Sequence, residues 1–530
     1  MRDSARRSWI VVAIVAVVVL AGAFAALRWA LDPAFLKAMA EARLSAALGQ
    51  PVRIKAVRIA FLPALIVDGT DILVGGTPRG AGAPLEIHAI RMHPRLLSIL
   101  ERPIVIDRID IDGLALHARR DTAGRWILPL PSGSASVADT SSPGALDVAH
   151  VVLTNGQLTI AQDRPGGRTD KPIAAIENLA ATVHHAGALT QLDALTASVG
   201  RSNVAGNGSV GPDGLRLTLR WTDLKASDLP PVFAFLGTPA PSGLAIEGRN
   251  PLALELRIDR GGAISASGRI AADRAALGTL AVTSFASPLV FARNRLTLDP
   301  MVFQAYSGTG RGHLAANLAS SPASWAFDAD LRQVDIDRFL SANTSAKGKV
   351  SGMGTLSARL RGTALAPFER NVAGTVTMAI ANGAIHNFPL LSALYSALKI
   401  GGGGDKDLHF ETLSGTFTVA NARATTTDLV AKTGEMTLTA AGTVGFDQAI
   451  ALTAKAAFSP AKSDEIVHSI KELSDLRNGS GEIEVPLTIS GSLAAPHFAI
   501  DVVGLARHGA ENELKRRLGD RLKDLFKKIK

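Results

Sequence analysis

The sequence predicts a mainly β protein: an N-terminal transmembrane helix, a long run of strands with a few short helices, and a C-terminal amphipathic helix. Three observations carry this. Trp9 to Leu27 is uncharged and apolar. From Val52 to about Asp501, segments alternate apolar and polar residues at period two, the signature of half-buried strands. The last twenty residues put an apolar stripe among basic side chains.

The first element is WIVVAIVAVVVLAGAFAAL, which at 1.5 Å per residue reaches about 28 Å and matches a bilayer core. Arg2, Arg6 and Arg7 precede it, so the N-terminus is expected in the cytoplasm and the bulk of the chain across the membrane. A cleaved signal peptide is the rival reading, with Ala23 and Ala25 as small residues before a cut. The apolar run is long for that, and an uncleaved anchor over residues 1–28 is expected. Next, PAFLKAMAEARLSAALG opens on Asp32-Pro33, a cap and first-turn pair, and sets Leu36, Ala40, Leu44 and Leu48 on one helical stripe that Gly49 stops.

The strands follow. LRLTLRW turns Leu215, Leu217, Leu219 and Trp221 to one side; LALELRID does so with Leu252, Leu254, Leu256 and Ile258; IEVPLTI with Ile483, Val485, Leu487 and Ile489. Asn155-Gly156 in VVLTNGQLTI fits a type I′ hairpin turn that would set Leu153 opposite Leu158 and Val151 opposite Ile160, and Asn382-Gly383 would pair Ile380 with Ile385. Residues 131–144, PSGSASVADTSSPG, have no periodicity and read as a loop or linker closing a first unit over 29–130. Two short helices are expected, NFPLLSALYSALKI before Gly401 to Gly404 and KSDEIVHSIKELSDL before Arg477-Asn478-Gly479. They are too few to cover the strands as helices usually cover a sheet.

Composition limits the function. Of 530 residues, 47% are hydrophobic and none is cysteine, which allows large buried surfaces and removes thiolate metal sites, disulfides and thiol nucleophiles. The net charge of +9 is concentrated at the ends: residues 506–530 carry nine Lys/Arg against four Asp/Glu. The body is nearly neutral, which argues against a nucleic-acid partner. GNGSVG, Gly206 to Gly211, spells GxGxxG, but a strand follows where phosphate binding needs a helix, so a turn glycine cluster is expected. Asp107, Asp110 and Asp112 lack the remaining ligands of a calcium loop, and His184-His185 point to opposite faces of a strand. No catalytic, cofactor or metal site is assigned, and no enzyme is expected.

LSAALGQPVRIKAVRIAFLPALIVDGTDILV and LLSILERPIVIDRIDIDGLALHARRDTAGRWIL resemble the N-terminal region of the AsmA family, the AsmA-like and TamB-like bacterial envelope proteins related to bridge-like lipid transfer proteins. VSGMGTLSARLRG, IANGAIHNFPLLSAL and IEVPLTISGSLAAPHFAID are similar to its C-terminal region. The resemblance implies an anchor in the bacterial inner membrane with the bulk in the periplasm, a chorein-like N-terminal unit, and an elongated, curved repeating β-groove over residues 145–505. It also implies passage of phospholipid along that groove toward the outer membrane, without a cofactor.

Physics agrees with such a groove. Periodicity alone favours several two-sheet β-sandwich domains, and the family resemblance is what reverses that choice; roughly two dozen strands side by side would extend about 115 Å. Their Leu, Val and Ile faces need no second layer if acyl chains fill the hollow, at about 0.8 kcal/mol per buried CH₂. Leu215, Leu217, Leu219, Leu252, Leu254, Leu256, Ile258, Ile483, Val485, Leu487 and Ile489 are the candidate lining. In residues 506–530, Leu514, Leu518, Leu522, Leu525, Phe526 and Ile529 form the stripe, and Lys515, Arg516, Arg517, Arg521, Lys523, Lys527 and Lys528 are candidates for an anionic membrane surface; a helix capping the groove is the other reading. Expected partners are phospholipid acyl chains, the inner membrane, and the outer-membrane inner leaflet or an envelope protein. The alternative function is a scaffold for outer-membrane protein assembly that binds clients by β-augmentation.

Overall fold

The computed structural model describes most of residues 33–500; the longer stretches outside the description are 76–84, 96–103, 128–145, 163–171, 234–242 and 388–406. The apolar run Trp9–Leu27, the tract 131–144, nearly all of NFPLLSALYSALKI and the basic segment 506–530 therefore lie outside the described residues. No helix among the described residues is long and apolar enough to cross a membrane. The protein is mainly β, with few helices, and forms two compact units: residues 1–240 with 253–264, and residues 241–252 with 265–530.

Unit 1 begins with α1 (Pro33–Leu48), as its cap and stripe predict. Ala40 packs onto Val52, Ile54, Ile72 and Val74, whereas Leu44 stays exposed. Polar contacts also hold the helix. Glu41 Oε1 accepts from the Ile54 N–H at 2.7 Å and Ser45 Oγ from the Val52 N–H at 2.9 Å. These amides belong to β1 (Val52–Ala60), whose other side pairs with β2 (Ile66–Val74), so α1 satisfies donors on a strand edge that would otherwise template pairing with another chain.

From β2 the ladder continues antiparallel through β3 (Leu85–Pro94) to β4 (Ile104–Arg120). The short β5 (Trp126–Ile127) pairs with the end of β4. A parallel step then joins β4 to β6 (Leu146–Gln162), so β4 pairs with both β5 and β6, the strands on either side of residues 131–144. Antiparallel steps resume through β7 (Ala174–Ala186), β8 (Leu189–Val199), β9 (Ser202–Gly211) and β10 (Gly214–Thr222), and β12 (Leu252–Ile258) pairs with β10.

Unit 2 starts with β11 (Leu244–Glu247), which pairs with β13 (Ile264–Leu277). A consecutive antiparallel meander follows: β14 (Leu280–Ala292), β15 (Arg295–Ala305), β16 (Gly308–Asn317), β17 (Ser324–Asp335), β18 (Val350–Thr363) and β19 (Val372–Ile385). It runs on through β20 (Leu408–Ala420), β21 (Arg423–Lys432), β22 (Met436–Gly445), β23 (Ala449–Phe458), β24 (Glu484–Ser492) and β25 (Pro496–Ile500). Among the described residues two α-helices interrupt it. α2 (Ile336–Asn343), which periodicity does not announce, is capped by Asp335, whose carboxylate accepts from the Arg338 N–H at 3.1 Å. α3 (Pro460–Ser469) is the described part of the helix expected at KSDEIVHSIKELSDL.

Both Asn-Gly hairpins are corrected. Asn155-Gly156 lies inside the unbroken 17-residue β6, and Asn382-Gly383 inside β19. Leu153 faces Ala181 of β7 instead of Leu158, and Ile380 faces Gly354 and Leu413 instead of Ile385. Asn155 has φ 53° and Asn382 φ 49°, the same backbone that a type I′ turn requires, but here each residue forms a β-bulge. Neighbours share the distortion: Asp71 of β2 (φ 50°), Gly113 of β4 (φ 68°) and Asn178 of β7 (φ 52°) adopt it too. Gly113 is needed there, because a Cβ would sit 2.7 Å from His88 Cβ. Asn155 Nδ2 donates to Asp112 Oδ1 at 2.6 Å, tying the bulge of β6 to the neighbouring strand β4. Bulges bend and twist a strand, so these neighbouring distortions crease unit 1 across its strands.

Unit 1 also holds a buried carboxylate. Asp228 accepts from Ser202 Oγ at 2.5 Å, the Arg201 N–H at 3.2 Å and Ser227 Oγ at 3.0 Å. Burial pushes this carboxyl up, but the hydrogen bonds outweigh it and hold it below the usual carboxylate range. A pKa lowered on folding adds stability that is complete above the unfolded value of about 4 and is lost as pH falls through the folded one. Asp228→Asn should therefore cost about 1–3 kcal/mol at pH 7. In thermal melts, its gap from wild type should shrink steadily below about pH 4; a gap constant down to pH 2 would contradict the assignment.

Candidate functional site

The predicted alternation is present where the strands are described. In β10, Leu215, Leu217 and Leu219 are half-buried while Arg216, Thr218 and Arg220 are exposed. In β12, Leu252 is buried and Leu254, Leu256 and Ile258 are half-buried, between exposed Ala253, Glu255, Arg257 and Asp259. Residues paired across antiparallel strands share a face. Leu217 faces Gly208, which faces Leu192; Leu219 faces Gly206, which faces Leu195. Gly206 and Gly208 are thus not a turn cluster, a second correction. They lie inside β9, where a Cβ would meet Leu219 Cδ2 at 2.9 Å and Leu217 Cδ2 at 2.8 Å, so the leucines of β10 lean over bare backbone.

Unit 2 repeats the device with larger side chains. The ring of Phe303 lies over Gly310, that of Trp325 over Gly362 and that of Phe410 over Gly383. Its registers align apolar residues from strand to strand: Leu298, Leu314, Phe327 and Leu360 are successive partners, all half-buried, and Ala358, Val376 and Phe417 continue alongside. The other face is polar, with Arg311 paired to Asp330, His313 to Asp328, and Asp328 to Arg359. At about 4.8 Å per strand, the thirteen strands from β13 to β25 form a band about 60 Å wide.

The band is not uniform. At one end of the strands Ile483, Val485 and Leu487 are sealed, with Phe458 and Ile466 at 0% exposure in the same cluster. Helix α3 supplies Ile466 and Val467, and α2 supplies Ile336, Phe339 and Leu340. Ser463 Oγ fixes α3 by donating to the Phe458 carbonyl at 3.2 Å and accepting from the Ile483 N–H at 2.9 Å. Protein thus fills the space before Ile483, Val485 and Leu487, while Ile489 is half-buried. Periodicity marks their inward direction but not what covers them.

The acidic and histidine motifs do not converge. Asp107 pairs with Arg95, Asp110 with Arg108 and His93, and Asp112 accepts from Asn155 and Thr154. His184 Nδ1 lies 2.7 Å from Asp193 while His185 is exposed. No group of three potential metal ligands occurs among the described residues. The basic candidates from Lys515 to Lys528 lie outside them.

Residues 249–429 match the family model described as AsmA family. No curated protein and no solved structure matches the chain.

Proposed function

The chain is an AsmA-family protein, and on that premise we propose that it is anchored in a bacterial inner membrane and carries phospholipid through the periplasm, with acyl chains against the apolar strand faces. One observation supports this most. Leucines that alternation turns inward, Leu217, Leu219, Leu254 and Leu256, remain half-buried while their chain neighbours are exposed. A protein layer packed on such a face would bury them, as Val485 and Leu487 are buried in the unit 2 core cluster to which α3 contributes. A half-covered apolar face is costly in water, at about 25 cal/mol per Å², and an acyl chain removes that cost. The charged headgroup stays in water, which avoids the penalty of burying it. Many similar apolar positions in a row suit movement along the face more than storage.

The test is the lipid content of the purified chain. Phospholipid should co-purify at several molecules per chain, and truncations that remove whole strands should lower the number in proportion. A lipid-free chain that retains a protein client would favour the assembly scaffold instead.

A further inference from the structure

Three strand ends in unit 2 bring together residues far apart in sequence: Ser351 of β18, His386 just beyond β19 and Asp407 just before β20. His386 Nδ1 lies 2.6 Å from Asp407 Oδ2, and His386 Nε2 lies 2.9 Å from Ser351 Oγ. Several other histidines of the chain sit against aspartates, among them His93, His184 and His313. Among the described hydrogen bonds, His386 is the one that joins a carboxylate on one ring nitrogen to a hydroxyl on the other. Asp407 is itself fixed, because its second oxygen accepts from the Asn387 N–H at 2.9 Å. That bond, then the one from His386, holds its carboxyl below the usual range. A charged Asp407 keeps the proton on Nδ1 and leaves Nε2 as the acceptor for the serine proton.

The three residues also share one face of the sheet. Val350, Ile385 and Leu408 pack into the unit 2 core, so their chain neighbours Ser351, His386 and Asp407 lie on the opposite, polar face. Ser351 is half-buried; Gly352 follows it, and Ala384 and Gly383 lie across from it. Gly352 stands where the β18–β19 register shifts, with φ 134°, and a Cβ there would lie 2.8 Å from Ile380 Cγ2 and 3.0 Å from Gly383 Cα.

We propose that Ser351, His386 and Asp407 form a nucleophile, general base and positioning carboxylate that cleave small water-soluble carboxylic esters at the polar face of unit 2. Ser351 Oγ attacks the ester carbonyl carbon while its proton passes to His386 Nε2. The C–O bond to the alkoxide breaks, and His386 returns the proton to that oxygen, releasing the alcohol. Water then attacks the acyl-serine by the same proton path, releasing the carboxylic acid and restoring Ser351. Asp407 stabilises the imidazolium formed in each half and does not itself take the proton. The substrate is small and soluble because the site lies on the face opposite the apolar band.

The test uses the full-length chain with a fluorophosphonate probe and p-nitrophenyl acetate. Expected are probe attachment at Ser351, identified by peptide mass, and ester turnover that Ser351→Ala and His386→Ala each reduce at least tenfold at unchanged melting temperature. Asp407→Asn should lower the turnover number with little change in KM, and Asp407→Glu should recover part of it. Absence of probe at Ser351, or labelling of equal rate in His386→Ala, would overturn the proposal and leave the three side chains as a tie between strand ends. Lipid co-purification is measured on the same samples and does not depend on this outcome.

Discussion

Leu256→Asp is expected to abolish lipid transfer between vesicles while leaving the protein folded. Leu256 is half-buried on the inward side of β12 between exposed Glu255 and Arg257. A carboxylate there meets water whenever lipid is absent, so folding loses little. With lipid present it must be desolvated against hydrocarbon, at several kcal/mol, enough to exclude an acyl chain from that position. Transfer rate and thermal melting on the same sample separate the outcomes. Loss of transfer with a near-normal melt is expected; outright unfolding would mean that β12 packs in a sandwich core. Full activity would mean that no lipid passes there.

The same kind of change at Phe458 should do the reverse. This side chain is at 0% exposure beneath α3, among Ile466, Ile483 and Val485. Phe458→Ala removes a ring from a site that Ser463 pins on both sides, so collapse into the cavity is restricted. A cost of about 3–5 kcal/mol is expected, enough to release α3 from the sheet. Denaturant unfolding read by a fluorophore on α3 would report it. A loss below about 1 kcal/mol would show that the helix is not held by this core.

The contrast between these positions marks how far the sequence can be read. Alternation in LALELRID and IEVPLTI is a local property, and both segments fold as strands or strand-like chain with the expected faces inward. What covers a face is decided elsewhere: Ile466 and Phe458 join Val485 in one buried cluster from outside its own strand, and no periodicity in IEVPLTI reports them. The Asn-Gly pairs failed for a related reason. A positive φ at Asn155 serves a hairpin or a bulge equally, and the choice was made by the parallel pairing with β4, fixed by contacts about 43 residues away in the chain. The glycines of GNGSVG were visible, yet their use under Leu217 and Leu219 required the β9–β10 register. Ser351, His386 and Asp407 occupy unremarkable positions in sequence, and only the ends of three adjacent strands bring them together.

The most direct measurement of the central claim is photo-crosslinking. A benzoyl-phenylalanine is placed singly at Leu217, Leu219, Leu254 and Leu256, and at their outward neighbours Thr218, Arg220, Glu255 and Arg257, in cells grown with radiolabelled phosphate. Phospholipid adducts are expected at the four inward positions, with little or none at the four outward ones. Equal labelling of both sets, or protein adducts alone at the inward set, would contradict it.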